Sequence, residues 1–137
     1  MAEKHVARKL KDNSPHLLWE AISDKYGVGT PDRCVLARGK GLVAWIELKY
    51  LKQAPSTKCK CGLKGVQAQW LQRWQENGGT SLLIVGVGSD KVSIFSDGFI
   101  DIYKNGIMRE QFELINYEEA ESKLLGLMGN GKKKTVF

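Results

Sequence analysis

Cysteine and histidine are scarce in this 137-residue chain, with three of the first and two of the second. The odd cysteine count, with Cys59 and Cys61 separated by a single lysine, excludes a disulfide framework and fits a reducing compartment. Neither His5 nor His16 has a partner at metal-ligand spacing, and Cys34 stands alone, so no zinc-thiolate centre is drawn and the cysteines are expected to be reduced bystanders. Long apolar runs are missing as well: none reaches the roughly 18 residues of a membrane span. The opening "MAEKHVARKLKDNS" lacks the apolar core of a secretory signal. A soluble, cytoplasmic protein with no membrane partner is the expectation. Acidic residues are outnumbered, 15 Asp and Glu against 21 Lys and Arg, for a formal charge of +6. Polyanions are therefore natural partners, although charge of this size alone names none.

What is present fits one core. The chain is 42% hydrophobic and 26% charged, ordinary for a single globular domain. Three segments follow: 1–13 polar and basic, 14–128 the domain, and 129–137 a flexible basic tail containing Lys132, Lys133 and Lys134. Ser14 as cap and Pro15 at the first helical position predict a helix over about 15–26, with Leu17, Leu18, Ala21 and Ile22 on one stripe and Gly27 as the stop. "DRCVLA" from Asp32, the turn Arg38-Gly39-Lys40-Gly41 and "LVAWIELKYL" predict a hairpin. The polar, basic stretch from Lys52 to Lys64 reads as a loop. A helix over about 66–77 follows, with Val66, Trp70, Leu71 and Trp74 on one stripe and Gly78-Gly79 as the stop. "SLLIVGVG" has the continuous apolarity of a central strand covered on both faces. "KVSIFS" and "FIDIYKN" alternate like two strands joined at Asp97-Gly98, and 117–128 predicts a last helix. The order is that of an α/β chain around a central mixed sheet flanked by helices.

The chemistry concentrates in "GTPDRCVLARGKGLVAWIELKYLK". Alternation puts Glu47 and Lys49 on one face of a strand and Ile46, Leu48 and Tyr50 on the other. Asp32 and Glu47 flank the hairpin, so two carboxylates converge at one sheet edge. Such a pair repels unless a cation or proton lies between them, and its hard oxygens suit Mg²⁺ or Mn²⁺. Metal-bound water is easier to deprotonate, which supplies a nucleophile for a phosphodiester. Lys49 would hold that water or stabilise charge on the phosphate. On periodicity alone the plainer reading comes first: a solvent-facing half of an antiparallel sheet, with Asp32 a turn residue after Pro31.

Pro31-Asp32 followed by Glu47-Leu48-Lys49 resembles the Pro-Asp…Glu-x-Lys signature of the PD-(D/E)XK nuclease superfamily. From about Glu20 to Gly88 the chain is similar to its VRR-NUC type, in which a Gly-x-Pro-Asp turn, a strand ending Glu-x-Lys and a helix opening with Gln follow in this order. The resemblance implies a restriction-endonuclease-like core and a Mg²⁺- or Mn²⁺-dependent endonuclease acting on DNA. It implies metal binding by Asp32, Glu47 and the main-chain carbonyl of Leu48, with Lys49 assisting the attacking water. It assigns an orienting role to Gln67, with Gln69 as the alternative. A further metal-ligating Glu from the preceding helix matches Glu20, with Asp24 one turn later as the alternative. Small stand-alone members resemble Holliday-junction resolvases and commonly form homodimers, so branched DNA, a paired assembly and a viral or mobile-element source are implied. A non-catalytic DNA-binding module keeping the fold is the rival reading.

Lys52, Lys58, Lys60 and Lys64 lie close in sequence to this site and are candidate phosphate contacts, or a solvated loop. Trp70 and Trp74, four apart, are core packing or a base-stacking platform, and core packing is the expectation. The C-terminal hairpin and helix match no functional motif and are expected to serve packing or self-association.

Overall fold

The structure, a computed structural model, describes residues 2–22 and 29–133. Its centre is the continuous apolar run of the sequence: strand β5 (Ser81–Val87) is buried at every position. It lies beside β3 (Leu42–Leu51), among the described residues the one parallel pair of a six-stranded sheet ordered β1-β2-β3-β5-β6-β8. The antiparallel neighbours are β1 (Leu17–Ala21), β2 (Arg33–Ala37), β6 (Lys91–Phe95) and β8 (Ile115–Asn116). A parallel pair needs a crossover, and helix α2 (Gly65–Glu76) supplies it.

Helices cover both faces. One face buries Ile46, Leu48, Leu82 and Ile84 with Val6 and Leu10 of α1 (Ala2–Asp12) and Ala120, Leu124 and Met128 of α4 (Tyr117–Lys133). The other buries Leu83, Val85 and Val87 with Ala68 and Leu71 of α2 and Phe99 and Ile102 of α3 (Phe99–Asn105). This mixed α/β architecture is the expected one. Two further strands, β4 (Lys58–Cys59) and β7 (Ile107–Met108), form a separate two-stranded ribbon.

The N-terminal third differs from its sequence reading. The helix expected over about 15–26 is strand β1 from Leu17 to Ala21; residues 23–28, with Asp24, lie outside the described residues. Leu17, Leu18 and Ala21 satisfy helical spacing, but Leu17 and Trp19 also alternate inward, and pairing with the whole of β2 decides for the strand. Ser14 and Pro15 end a helix instead of starting one. The Ser14 hydroxyl donates to the Leu10 carbonyl and Asn13 Nδ2 donates to the Lys9 carbonyl at 2.8 Å, closing α1. The polar segment 1–13 is thus mostly helix, held by Val6 and Leu10, which are 0% and 1% exposed.

The C-terminal part differs too. "FIDIYKN" is helix α3: Phe99 and Ile102, three apart, are buried, and Gly98 at φ +69° turns the chain into it instead of making a hairpin. The last helix runs on to Lys133, past the expected end at Met128 and into the stretch expected to be a tail. The loop from Lys52 to Lys64 is interrupted by β4.

Candidate active site

The ladder sets the site. β2 begins at Arg33, paired with Ile46, so the next pair in that register is Asp32 with Glu47. Cross-strand partners share a face and residues two apart share it as well. Glu20, Asp32, Cys34, Trp45, Glu47 and Lys49 therefore belong to the face that carries α2. The hairpin does not turn this face to solvent: Glu47 is 4% exposed and Lys49 8%, flanked on β5 by Leu83 and Val85.

Asp32 accepts a hydrogen bond from the Leu48 main-chain N–H at 3.3 Å, which draws its carboxylate to the Glu47–Leu48 peptide. Lys49 Nζ lies 3.5 Å from Glu47 Oε2. Gln67, in the first turn of α2, donates from Nε2 to the same Oε2 at 3.1 Å. Its Oε1 accepts the Lys64 main-chain N–H at 3.0 Å, so the side chain is fixed at both ends. One of the donors left open at a helix start is thereby satisfied, while the amide NH₂ stays aimed at the carboxylate.

Gly29 explains why the Gly-x-Pro-Asp turn approaches α2 so closely. It sits at φ +88°, and any Cβ there would collide with the Val66 carbonyl oxygen. Only glycine accepts both the backbone angle and the contact. The turn carrying Asp32 is thus seated on the residue before Gln67.

The structure brings Asp32, Glu47, Lys49 and Gln67 together, with the Leu48 peptide between the carboxylates. It does not bring Gln69, which is exposed two positions along α2. Glu20 lies on a strand, not a helix, and is exposed on the same sheet face. It stands across from Cys34, whose thiol is pushed up by burial and then by the Glu20 charge. Among the described residues, no three His, Cys, Asp or Glu side chains form a metal-holding group. Asp32 and Glu47 nonetheless fit a small hard cation, since Mg²⁺ is commonly held through one or two carboxylates and completes its shell with water and phosphate oxygens.

Lys52, Lys58, Lys60 and Lys64 are all exposed around this site. The loop comes close enough that the Cys61 thiol, raised by burial, also feels the Lys49 ammonium, which pulls it down. On the other side of Glu47, Trp45 meets Trp70 and Trp74 at 5.5 and 5.9 Å between ring centroids, and Trp70 stacks on Trp74 at 5.1 Å. Sequence reasoning missed the contact of α3 with this region: the Tyr103 ring lies where a Cβ on Gly65, the first residue of α2, would sit 3.0 Å from it. No local signal marks such a contact, because the two positions are far apart in the chain.

No protein-family model and no curated protein matches this sequence. Among solved structures, the chain is similar to the 1.6 Å structure of Hjc from Archaeoglobus fulgidus, a Holliday junction resolvase from an archaeal hyperthermophile. The TM-score is 0.57 at 14% identity, over 87% of this chain and 96% of the other. The likeness shows a resolvase-like fold, the restriction-endonuclease-like core expected from the sequence.

Proposed function

We propose that this chain is a metal-dependent endonuclease of PD-(D/E)XK type, related to the VRR-NUC group, that hydrolyses phosphodiester bonds in branched DNA such as Holliday junctions or flaps. The observation that carries this reading is the convergence of Glu47 with Lys49 at 3.5 Å and Gln67 at 3.1 Å, beside Asp32, on a resolvase-like fold. The carboxylates of Asp32 and Glu47 and the carbonyl of Leu48 would hold Mg²⁺ or Mn²⁺. Such an ion, when bound, lowers the pKa of its water and neutralises charge on the phosphate.

The chain's own residues do the remainder. Lys49, on the face shared with Glu47, orients the attacking water or offsets charge on the phosphate oxygens. Gln67 holds the Glu47 carboxylate in place through Oε2. Leu83 and Val85 flank the pair and keep bulk water from the Lys49 stem. Glu20, exposed on the same sheet face, is the further candidate ligand from β1. Lys52, Lys58, Lys60 and Lys64 hold the DNA backbone without reading bases. A homodimer, placing two sites across a junction, is part of the proposal. The half-exposed Val43 and Trp74, beside a cavity of about 270 Å³ also lined by Leu42, Thr80 and Met128, are its candidate contact.

Cleavage assays on four-way junctions, flaps, single strands and plain duplex, with Mg²⁺, Mn²⁺ or EDTA, test the reading. Divalent-dependent cutting that disappears in Asp32→Ala and Glu47→Gln proteins supports it. Absence of cutting on every substrate, with DNA binding that survives EDTA and Glu47→Gln, would replace it with a non-catalytic DNA-binding module. Sedimentation of wild type and Trp74→Ser tests pairing, and a monomeric wild type removes that part.

A further inference from the structure

Helix α2 covers only part of its sheet face. Its inner residues Ala68 and Leu71 pack with Leu83 and Val85 of β5, and among the described residues none of β1 or β2 joins that buried cluster. Over β1, β2 and the start of β3 the same face stays partly open. Leu18, Leu36 and Val43 form one rank across the three strands, and Glu20, Cys34 and Trp45 form the next. None of these six is buried, whereas Trp19, Val35 and Ala44, facing the other way, are. Asp32 and Glu47 make the rank after that, so the open floor runs directly into the candidate site.

A flank of α2 forms the wall beside this floor. Gln67, Trp70 and Trp74 recur at i, i+3 and i+7, on one side of the helix. Gln67 donates to Glu47, and one turn on, Trp70 meets Trp45, which lies two residues before Glu47 on the same strand face, about 7 Å along the strand. Trp70 stacks on Trp74 with ring planes 13° apart, and Trp74 also meets Trp45 edge-on. Core packing accounts for Leu71, which is fully buried, but not for three tryptophans that all keep exposed surface. Arg73, exposed one turn beyond Trp70, adds a cation to the helix here. We propose that this floor and wall take a single-stranded stretch of DNA, with an unpaired base stacked on Trp70 about one or two nucleotides from the scissile phosphate. The placement of the scissile phosphate rests on the nuclease reading above. A net charge of +6, Arg73 and continuity with the carboxylates argue for nucleic acid as the occupant, and an aromatic ring held by two others suits any base, because every base has a π-face. The site would thereby favour flaps and branch points, where bases are already unpaired, over continuous duplex.

The test uses the full chain and fluorescein-labelled flap substrates in which an abasic residue replaces each nucleotide around the branch in turn, with binding read by anisotropy in EDTA. In wild type, one or two abasic positions should weaken binding about five- to a hundredfold. Trp70→Leu should weaken binding to the intact flap by a similar factor, lose less on plain duplex, and become insensitive to those same abasic positions. Trp70→Phe, which keeps a ring, should retain most of the affinity and the sensitivity. A wild type in which no abasic position matters overturns the proposal, whether or not Trp70→Leu folds. So does a Trp70→Leu protein that loses equally on flap and duplex with its abasic pattern unchanged, and if sedimentation shows that this variant has lost pairing, the cluster belongs to a second copy instead. Wild type that cuts DNA with no sensitive position removes the stacking site alone, while wild type that binds with the expected pattern but cuts nothing keeps the stacking site and removes the nuclease reading.

Discussion

Gln67→Ala is the most informative single substitution. It deletes a hydrogen bond to a carboxylate at 3.1 Å, a charge-assisted type worth about 1.5–3 kcal/mol. It also deletes the acceptor for the Lys64 N–H at 3.0 Å, a neutral bond worth about 0.5–1.5 kcal/mol. Lys64 is exposed and recovers a water, so the net loss is about 2 kcal/mol. For a chain of this length that is roughly 6–8 °C in melting temperature. Cleavage should fall about 10–100-fold, the usual cost of losing a group that orients a metal-binding carboxylate.

The isosteric Gln67→Glu sharpens the test. It keeps the acceptor for Lys64 but points a second carboxylate at Glu47, and two charges about 3 Å apart repel by about 5 kcal/mol at an effective dielectric near 20, before relaxation. The pair escapes by taking up a proton, so its folded pKa is raised. The folded state then holds more protons than the unfolded one. Stability is present below the ordinary carboxylate range and is lost as pH rises above about 4. Melting of Gln67→Glu against wild type at pH 4.5 and 8, with and without Mg²⁺, measures this. The variant should match wild type in acid, fall below it at pH 8 and recover with Mg²⁺. A variant indistinguishable from wild type at both pH values, with no response to the ion, would refute the Gln67–Glu47 contact.

Lys49→Met should leave junction binding intact while lowering the single-turnover cleavage rate about 10²–10⁴-fold, the range for a lost proton-handling group; a normal rate would take Lys49 out of the mechanism. Gly29→Ala should cost more than the roughly 1 kcal/mol usual for alanine at positive φ, because the Val66 carbonyl occupies the added methyl's place, and chemical denaturation reads the loss directly. Tyr117 is pushed up to about 12 by burial, with Tyr50 and Asp90 adding to it. Its contribution to stability is complete below pH 10 and is lost as pH rises toward 12. In Tyr117→Phe that alkaline loss should be smaller, and the absorbance change near pH 12 at 295 nm should shrink.

The sheet centre was legible from the continuous apolarity of β5 and the crossover from the helical spacing before it, although of the stripe expected on α2 only Leu71 is fully buried, with Ala68 beside it, while Val66 and Trp74 are exposed. That Glu47 and Lys49 share a face followed from alternation, while their site role and the choice of Gln67 came from the resemblance to the nuclease superfamily. The errors fell where two periods coexist. Leu17-Leu18-Trp19-Glu20-Ala21 satisfies both templates, and its pairing partner lies beyond residues 23–28, so local pattern could not choose the strand. Glu20 was carried over on the strength of the helix that became β1. "FIDIYKN" failed the other way: its two-residue alternation hid the three-residue spacing of Phe99 and Ile102. The β4–β7 ribbon rests on two pairs between segments about fifty residues apart, and no composition signals that.

Alternation left Glu47 and Lys49 as surface decoration, and their side chains, only 5% and 10% exposed, reverse that reading. Desolvating two charges costs several kcal/mol per ion, and apolar residues of the same volume are often neutral or stabilising in their place. A folding argument would therefore put a leucine at Glu47, next to Leu83 and level with the buried β5 strand. Instead Glu47 accepts from Gln67 and faces Lys49 through the same oxygen, and the turn bearing Asp32 is pressed against α2 by a glycine that tolerates no substitute. Each of these choices works against packing and toward holding charge at one spot. On the proposed nuclease reading the arrangement is preorganisation: dipoles and charges set before substrate arrives need no rearrangement when charge develops on a phosphate. On that argument Glu47→Leu should equal or exceed wild type in thermal stability only when Lys49 is also made apolar, because Glu47→Leu alone strands a buried ammonium. Melting the single and double variants decides it, and a single variant as stable as the double would refute the buried ion pair.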